Sequence, residues 1–469
     1  MIKIDRSKMK VCFIGTWGQP LGIAYIAAVL EKEGYICKIM DLSGSKYDLG
    51  ELQKILLNEK PDIVGISSIT PTFPEALQIA RATKAKLPET IVVMGGIHTT
   101  VRPHDALNTP YVNIVVRGEG EITFKELLQK ISQGKSIDKI LGISFKNEEE
   151  IIHNESRPPI EDLDSLPFPA WHLMPLEKYR YGFWKEPFVN ILTSRGCKGV
   201  CTYCIHSKKT IGKFRARSAK NVVDEIEHIK EKFGIRFFRI IDDNFTYDKE
   251  RVLKICDLIQ ERELNIIWDL PNGTRVDTVD KELLQKMYDA GCFKIDFGIE
   301  SGNQEILKKM RKNITKDQVR KTVRDAKEVG LSVGGFFMLG NIGENEQTLK
   351  ETIEFAKELN CDHTAFSIAT PYPGTVFWDK VEKDGCLLYG TDWSRYRIYE
   401  QPIFEMGDLT ADLLFKYLKK AHRKYYLRQK FLVSSLKHIF MPKSRAQFLY
   451  DIDTFIQFVK VKLSRKNNE

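Results

Sequence analysis

The chain has 469 residues, 42% of them hydrophobic and 29% charged, with a formal net charge of +9. That length exceeds a single core and predicts two or three domains of ordinary globular composition, and no apolar run is long enough to span a membrane. Residues 411–469 hold 14 Lys and Arg against 4 Asp and Glu, so the preceding residues are close to neutral, which excludes a nucleic-acid-binding body.

Nine cysteines show no disulfide-like pairing, and the first ten residues are too polar for a secretory signal. A reducing, cytoplasmic setting is expected. Residues 10–132 then alternate short apolar runs with amphipathic stretches. Val11–Gly15, Ile36–Met40, Ile63–Ser67, Ile91–Gly95 and Ile114–Arg117 predict buried parallel strands. Leu21–Glu33, Glu51–Glu59, Glu75–Lys86 and Ile122–Ser132 predict the helices between them. The expected fold is a small α/β doubly wound, flavodoxin-like domain over residues 1–136, with ligands at the carboxyl ends of its strands. Four of those ends are small, polar or glycine-rich: Thr16, Trp17 and Gln19; Ser67 and Ser68; Gly95, Gly96 and His98; Gly118 and Glu119. Four on one edge predict a binding face.

Residues 137–186 read as a connector, with a hairpin (Ile140–Phe145, Ile151–His153) and a proline- and aromatic-rich run through Trp171. His172 and Trp184 read first as packing residues there, with a place bordering the active site as the alternative. The βα rhythm resumes over residues 187–400. Strands are expected at Val189–Thr193, Phe237–Ile241, Asn265–Asp269, Phe293–Gly298, Val333–Leu339 and Ala365–Ala369, with helices between them. Six such units predict a partial (β/α)6 barrel with its chemistry at the strand carboxyl ends.

After the first of these strands come Cys197, Cys201 and Cys204, three soft thiolate donors on one loop. Two metals suit them: a [4Fe–4S] cluster with one open iron, or zinc with His206 as fourth ligand. The C-x3-C-x2-C spacing resembles that of radical S-adenosylmethionine (SAM) enzymes, which use the cluster. The resemblance continues at the strand ends, and implies roles position by position. Tyr203 would pack near the adenine, and Asp243, in Asp-Asp-Asn-Phe, would stand in for the usual glycine-glycine-glutamate contact to the SAM amino group. Arg275 would meet the SAM carboxylate, Glu300 with Ser301 the ribose hydroxyls, and the backbone around Gly340 the adenine edge.

The first domain resembles the cobalamin-binding domain that precedes the barrel in one large class of these enzymes. It lacks the D-x-H-x-x-G motif, so the resemblance implies cobalamin without a protein histidine on cobalt; Trp17 is placed either over that lower face or in the core. The chain is thus identified as resembling the cobalamin-dependent radical SAM class that contains anaerobic magnesium-protoporphyrin monomethyl ester cyclase and hopanoid methylases. The class implies reductive cleavage of SAM to a 5′-deoxyadenosyl radical and attack on an unactivated carbon, with methyl transfer expected first and a non-methylating oxidation or ring closure as the alternative. A cobalamin-binding sensor and a zinc-stabilised interaction protein are the readings from other classes.

Cys256, Cys292, Cys361 and Cys386 form no second close set, so no auxiliary cluster is expected. Residues 401–469 form a basic helical tail. Its apolar stripe, Leu413, Leu414, Tyr417, Leu418 and Ala421, reads either as a cap on the barrel or as an interfacial surface for peripheral membrane contact or a greasy substrate. The expected partners are a small-molecule substrate, with a hydrophobic one fitting the class, and an electron donor such as flavodoxin or ferredoxin.

Overall fold

The computed structural model describes residues 9–42, 49–180, 186–206, 212–431 and 433. The chain divides into two units: residues 1–175 with 391–396, and residues 176–390 with 397–469.

The first unit is built on β1 (Lys10–Gly15), β2 (Ile36–Asp41), β3 (Ile63–Ser67), β4 (Ile91–Gly95) and β5 (Ile114–Val116), all parallel. Their Val- and Ile-rich sequences suit strands covered on both faces. The covering helices are α1 (Leu21–Lys32), α2 (Leu49–Glu59), α3 (Phe73–Lys86), the short α4 (Ile97–Val101) and α5 (Pro103–Leu107), and α6 (Gly120–Ser132). Strand order β2-β1-β3-β4-β5 continues into β6 (Ile143–Asn147) and β7 (Glu150–His153), which add antiparallel at the edge.

The hairpin expected in a connector is therefore part of this sheet. The proline-rich run beyond it also stays with the first unit. Leu163 and Leu166 bury against Tyr25 and Val29 of α1, and the Ala170 N–H donates to the Ala24 carbonyl at 3.0 Å. Apolar side chains at this density find cover on the nearest helix rather than remaining extended. Residues 391–396 return to the same unit, with Trp393 and Tyr396 buried.

The second unit is a six-stranded parallel sheet in the order β15-β14-β13-β12-β11-β8. Its strands are β8 (Phe188–Ile191), β11 (Phe237–Ile240), β12 (Ile267–Thr274), β13 (Cys292–Glu300), β14 (Ser332–Leu339) and β15 (His363–Ile368). β9 (Ser194–Arg195) and β10 (Arg215–Ala216) form a separate antiparallel pair. Strand β12 begins later than the sequence suggests, because Glu263 and Asn265 take positive φ at 49° and hold the chain in a turn. Side-chain caps start the helices: Ser218 for Ala219–Phe233, Asp248 for Lys249–Glu261, Asp280 for Lys281–Asp289, Thr315 for Lys316–Val329 and Asn345 for Glu346–Leu359.

A buried chain of charge crosses these strands. Arg239 forks onto Asp269 at 3.0 and 3.1 Å, Lys294 meets Asp296 at 2.7 Å, and Asp296 meets His363 at 2.6 Å. Burial opposes ionisation of Asp296, but Lys294 and His363 hold its carboxyl down at about 2.

The helix Ala411–Tyr426 settles part of the tail. Leu414, Tyr417, Leu418, Ala421 and Tyr425 are buried, and the Tyr425 hydroxyl donates to the Cys361 carbonyl at 2.5 Å. Apart from the half-buried Leu413, that stripe packs within the second unit, as a cap does. Residues 434–469 lie outside the described residues, as does Trp184. No described helix is long and apolar enough to cross a membrane.

Candidate active site

The cysteine loop leaves β8 and is pinned where β9 pairs with β10, Arg195 opposite Arg215 and Ser194 opposite Ala216. Two carboxylates from the end of β11 fix its stem. Asp242 accepts from the Thr193 N–H at 2.6 Å and from the Thr193 and Ser194 hydroxyls, with the Arg251 guanidinium 3.9 Å away. Burial pushes its carboxyl above the usual range against that help. Asp243 accepts from the Gly196 N–H at 3.1 Å and pairs with His206 Nδ1 at 3.0 Å. It therefore ties the residue before Cys197 to one just after Cys204. The contact to SAM expected of Asp243 is not where its oxygens point; they are turned to the loop, where the Gly196 N–H and the His206 imidazole supply the donors. His206 is oriented by the same carboxylate through Nδ1.

All three cysteines are free thiols, half-buried on this loop. Sγ of Cys197 and Sγ of Cys201 would lie 3.3 and 3.8 Å from a Cβ built on Gly199, and the Gly199 N–H donates to Cys197 Sγ at 3.3 Å. Burial raises the Cys197 thiol and pushes Cys204 up to about 12. Such thiols stay protonated unless a metal strips the proton, as a coordinating ion does. Among the described residues no three His, Cys, Asp or Glu side chains converge as on a single ion. A cluster spreads its thiolates around a cube, so three separate soft donors fit it.

The other strand ends surround this loop with charge. Arg275 forks onto Asp277 at 2.9 and 2.7 Å, and its Nη2 also donates to the Lys312 carbonyl at 2.8 Å. Its position is set by the protein, and its charge lies beside Cys201 and Cys197. Glu300 ends β13 at φ 69°, a left-handed conformation unusual for this residue, and is buried against Lys312 Nζ at 3.0 Å. Lys312 also reaches the Tyr203 hydroxyl at 3.4 Å. Burial and the neighbouring Glu300 raise the Tyr203 phenol well above its ordinary value.

Ser301, expected beside the ribose, is fully buried; its hydroxyl pairs with Thr352 at 3.2 Å and accepts from the Asn303 N–H, so its work is structural. The Gly340 N–H is likewise spoken for, donating to Glu344 Oε2 at 2.6 Å beside the Asn341 N–H at 2.9 Å. At the end of β11, Asn244 Nδ2 is buried without a partner, a donor suited to a ligand. Neither Asn244 nor Lys312 carried a signal in the sequence beyond its neighbourhood.

Glu344 makes a pH prediction. Burial pushes its carboxyl up to about 7, against the two backbone donors that favour the charged form. The folded chain keeps this proton above pH 4.5, where the unfolded chain has released it, so stability falls as pH rises towards 7. Between pH 6 and 8 the loss is about 1 kcal/mol. Unfolding by urea at both pH values should show this loss in the wild type and not in Glu344→Gln. Equal pH dependence in the two would contradict it.

In the first unit the strand ends of β1 and β3 enclose a cleft of about 70 Å³, lined by Gly15, Thr16, Trp17, Pro20, Ser67 and Ser68 among others. The Thr16 hydroxyl donates to the Ser67 carbonyl at 2.9 Å and pairs with Thr72, which shapes the rim. Ser68 Oγ is buried without a partner, and Trp17 is 61% exposed, an uncovered aromatic at a strand end. Gly96 has φ 102°, and a Cβ there would lie 2.2 Å from the Ser68 carbonyl oxygen, so only glycine lets the two loops approach. Gly95 ends β4 beside it, and Gly118 has φ 75° with open space around its Cα. Gln19 is buried, its carbonyl accepting from the Leu21 N–H.

Two residues expected on this face lie elsewhere. His98 is fully buried, its ring 4.2 Å from Phe73 and 5.0 Å from Trp393, with Nε2 3.4 Å from Asp105. Apolar cover makes it a packing residue under the face. Glu119 accepts from the Ile160 N–H at 2.7 Å and so anchors the following run of chain. The orphaned hydroxyl, the glycine cradle and the open aromatic fit a large planar cofactor.

Comparison with known proteins agrees with this division. The model of the radical SAM superfamily matches residues 191–356, and that of the B12 binding domain matches residues 13–128. The chain is 35% identical over 424 residues to an uncharacterized methyltransferase of Pyrococcus horikoshii, covering 90% of this chain and 91% of the other. It is 28% identical over 427 residues to an anaerobic magnesium-protoporphyrin IX monomethyl ester cyclase of Rubrivivax gelatinosus, covering 89% and 75%. Its fold is similar to that of TsrM, a radical S-adenosylmethionine methyltransferase of Kitasatospora setae solved with cobalamin and a [4Fe–4S] cluster: TM-score 0.75 at 17% identity, over 98% of this chain and 100% of that one.

Proposed function

We propose that this chain, which belongs to the cobalamin-dependent radical SAM enzymes, transfers a methyl group to an unactivated carbon of a small molecule. The observation that carries the reading is the loop of three free thiols beside the buried Glu300–Lys312 pair, in a chain whose other unit carries an open strand-end face. When bound, the cluster supplies an electron to SAM and cobalamin supplies a methyl donor, chemistry that no side-chain acid or base offers.

The protein's part is to hold and shield. Cys197, Cys201 and Cys204 take three irons, and Asp242 and Asp243 keep their loop in shape. Glu300 faces the ribose hydroxyls, Tyr203 packs on the adenine side, and Arg275 places positive charge near the SAM carboxylate. Thr16, Trp17, Gln19, Ser67, Ser68, Gly95, Gly96 and Gly118 line the cobalamin face. A one-electron carrier such as flavodoxin or ferredoxin serves as reductant.

The likeness to the magnesium-protoporphyrin cyclase favours a second reading, radical oxidation or ring closure without methylation. The two part on one product. Anaerobic turnover with SAM and a reductant should yield S-adenosylhomocysteine alongside 5′-deoxyadenosine, and only when cobalamin is loaded. Deoxyadenosine without S-adenosylhomocysteine would replace methyl transfer with the cyclase-type reading.

A further inference from the structure

The segment Met310–Lys312 lies beyond β13 and outside every motif that marks the site, yet it contacts the cysteine loop at each residue. The Met310 carbonyl accepts from the Thr202 N–H at 3.0 Å, and the Arg311 carbonyl lies 4.0 Å from Cys201 Sγ. The Lys312 carbonyl accepts from Arg275 at 2.8 Å. Its side chain is buried, and Nζ is shared between Glu300 Oε1 at 3.0 Å and the Tyr203 hydroxyl at 3.4 Å.

Three non-glycine residues bracketing that ammonium take left-handed backbone: Glu300 at φ 69°, Arg311 at 55° and Asn313 at 55°. Each such conformation is strained and persists only where the surroundings enforce it, most often at functional sites. A further constraint comes from β13. A Cβ on Gly298 would lie 2.7 Å from Glu300 Oε1 and 2.9 Å from Lys312 Nζ, so a side chain there would displace the pair. The backbone is bent and a strand position left bare around one lysine–glutamate contact.

We propose that Lys312 is the positioning residue of the SAM site: it holds Glu300 in the one orientation that presents a carboxylate oxygen to the vicinal diol of the ribose. Lys312 Nζ fixes Oε1 and so sets the plane of the carboxylate that would accept from the hydroxyls. A carboxylate buried to this degree has no water to hold it, so without its ammonium it turns away. The inference rests on the radical SAM reading above and deepens it at one residue.

The test is SAM binding to the anaerobically reconstituted full-length protein, read from the change that SAM causes in the electron paramagnetic resonance signal of the reduced cluster. Lys312→Met should keep its iron content, weaken SAM binding at least about tenfold and alter the SAM-bound signal. Lys312→Arg, which keeps the charge, should restore most of the affinity. Glu300→Gln should weaken binding similarly, and the double variant should be little worse than either single one, because the two act as a unit.

A responsive wild type with an unchanged Lys312→Met overturns the inference alone, as do additive losses in the double variant. Loss of iron in Lys312→Met also overturns it, by making the lysine a support of the loop. A wild type whose cluster signal ignores SAM overturns the radical SAM reading, and the inference falls with it.

Discussion

Cys201→Ala is expected to abolish the cluster and with it SAM cleavage. The loop offers three thiols and no spare, since the remaining cysteines of the second unit are dispersed: Cys256, Cys292 and Cys361 are buried elsewhere and Cys386 is exposed. Iron after anaerobic reconstitution should fall from about four per chain to below about one, and 5′-deoxyadenosine formation by at least about a hundredfold. Cys256→Ala provides the control. That side chain is fully buried on the helix Lys249–Glu261, and its loss should leave iron content unchanged. Full iron incorporation in Cys201→Ala would show that the loop does not hold the metal.

Asp242→Ala should be the most destabilising single change near the site. Its carboxylate joins the strand end of β11 to Thr193 and Ser194, and it is the anion nearest the buried Arg251 guanidinium on the next helix. Alanine leaves a backbone N–H and two hydroxyls without their acceptor, and the guanidinium without the carboxylate 3.9 Å away. Breaking a buried ion pair from one side costs about 3–5 kcal/mol, more than an exposed pair by several-fold. Urea unfolding should show that loss, with Asp242→Asn intermediate because it retains one acceptor oxygen. A change below about 1 kcal/mol would mean that Arg251 and the hydroxyls find other partners.

Much of this was legible from the sequence, and the reasons differ by element. Short apolar runs placed the five strands of the first domain and the six of the barrel to within a few residues, because most of these strands are buried on both faces. The spacing of Cys197, Cys201 and Cys204 carried the chemistry, since few arrangements need three thiolates on one short loop. Side-chain direction was less legible. Asp243 looked like a ligand contact because it ends a barrel strand, but the Gly196 N–H and His206 claim both its oxygens. His98 sits in a glycine-rich loop that suggested exposure; Trp393, distant in sequence, closes over it. Lys312 gave no signal because its partner Glu300 is reached across a loop and not along a helix or strand period.

The connector was misjudged for a related reason. Pro158, Pro159, Pro167 and Pro169 mark an extended path, and they do not say what that path covers. Leu163, Leu166 and Trp171 decide that by burying in the first unit. The tail helix shows the reverse case: a basic amphipathic pattern fits a membrane surface or a protein one, and the burial of Leu414, Tyr417 and Tyr425 selects the protein.

The most direct test of the account is anaerobic reconstitution of the purified chain with iron, sulfide and cobalamin, followed by metal counts and product analysis with SAM and a reductant. About four irons and one cobalt per chain, with 5′-deoxyadenosine formed, is the predicted result. Zinc bound in place of iron, or a full cluster that never cleaves SAM, would contradict it.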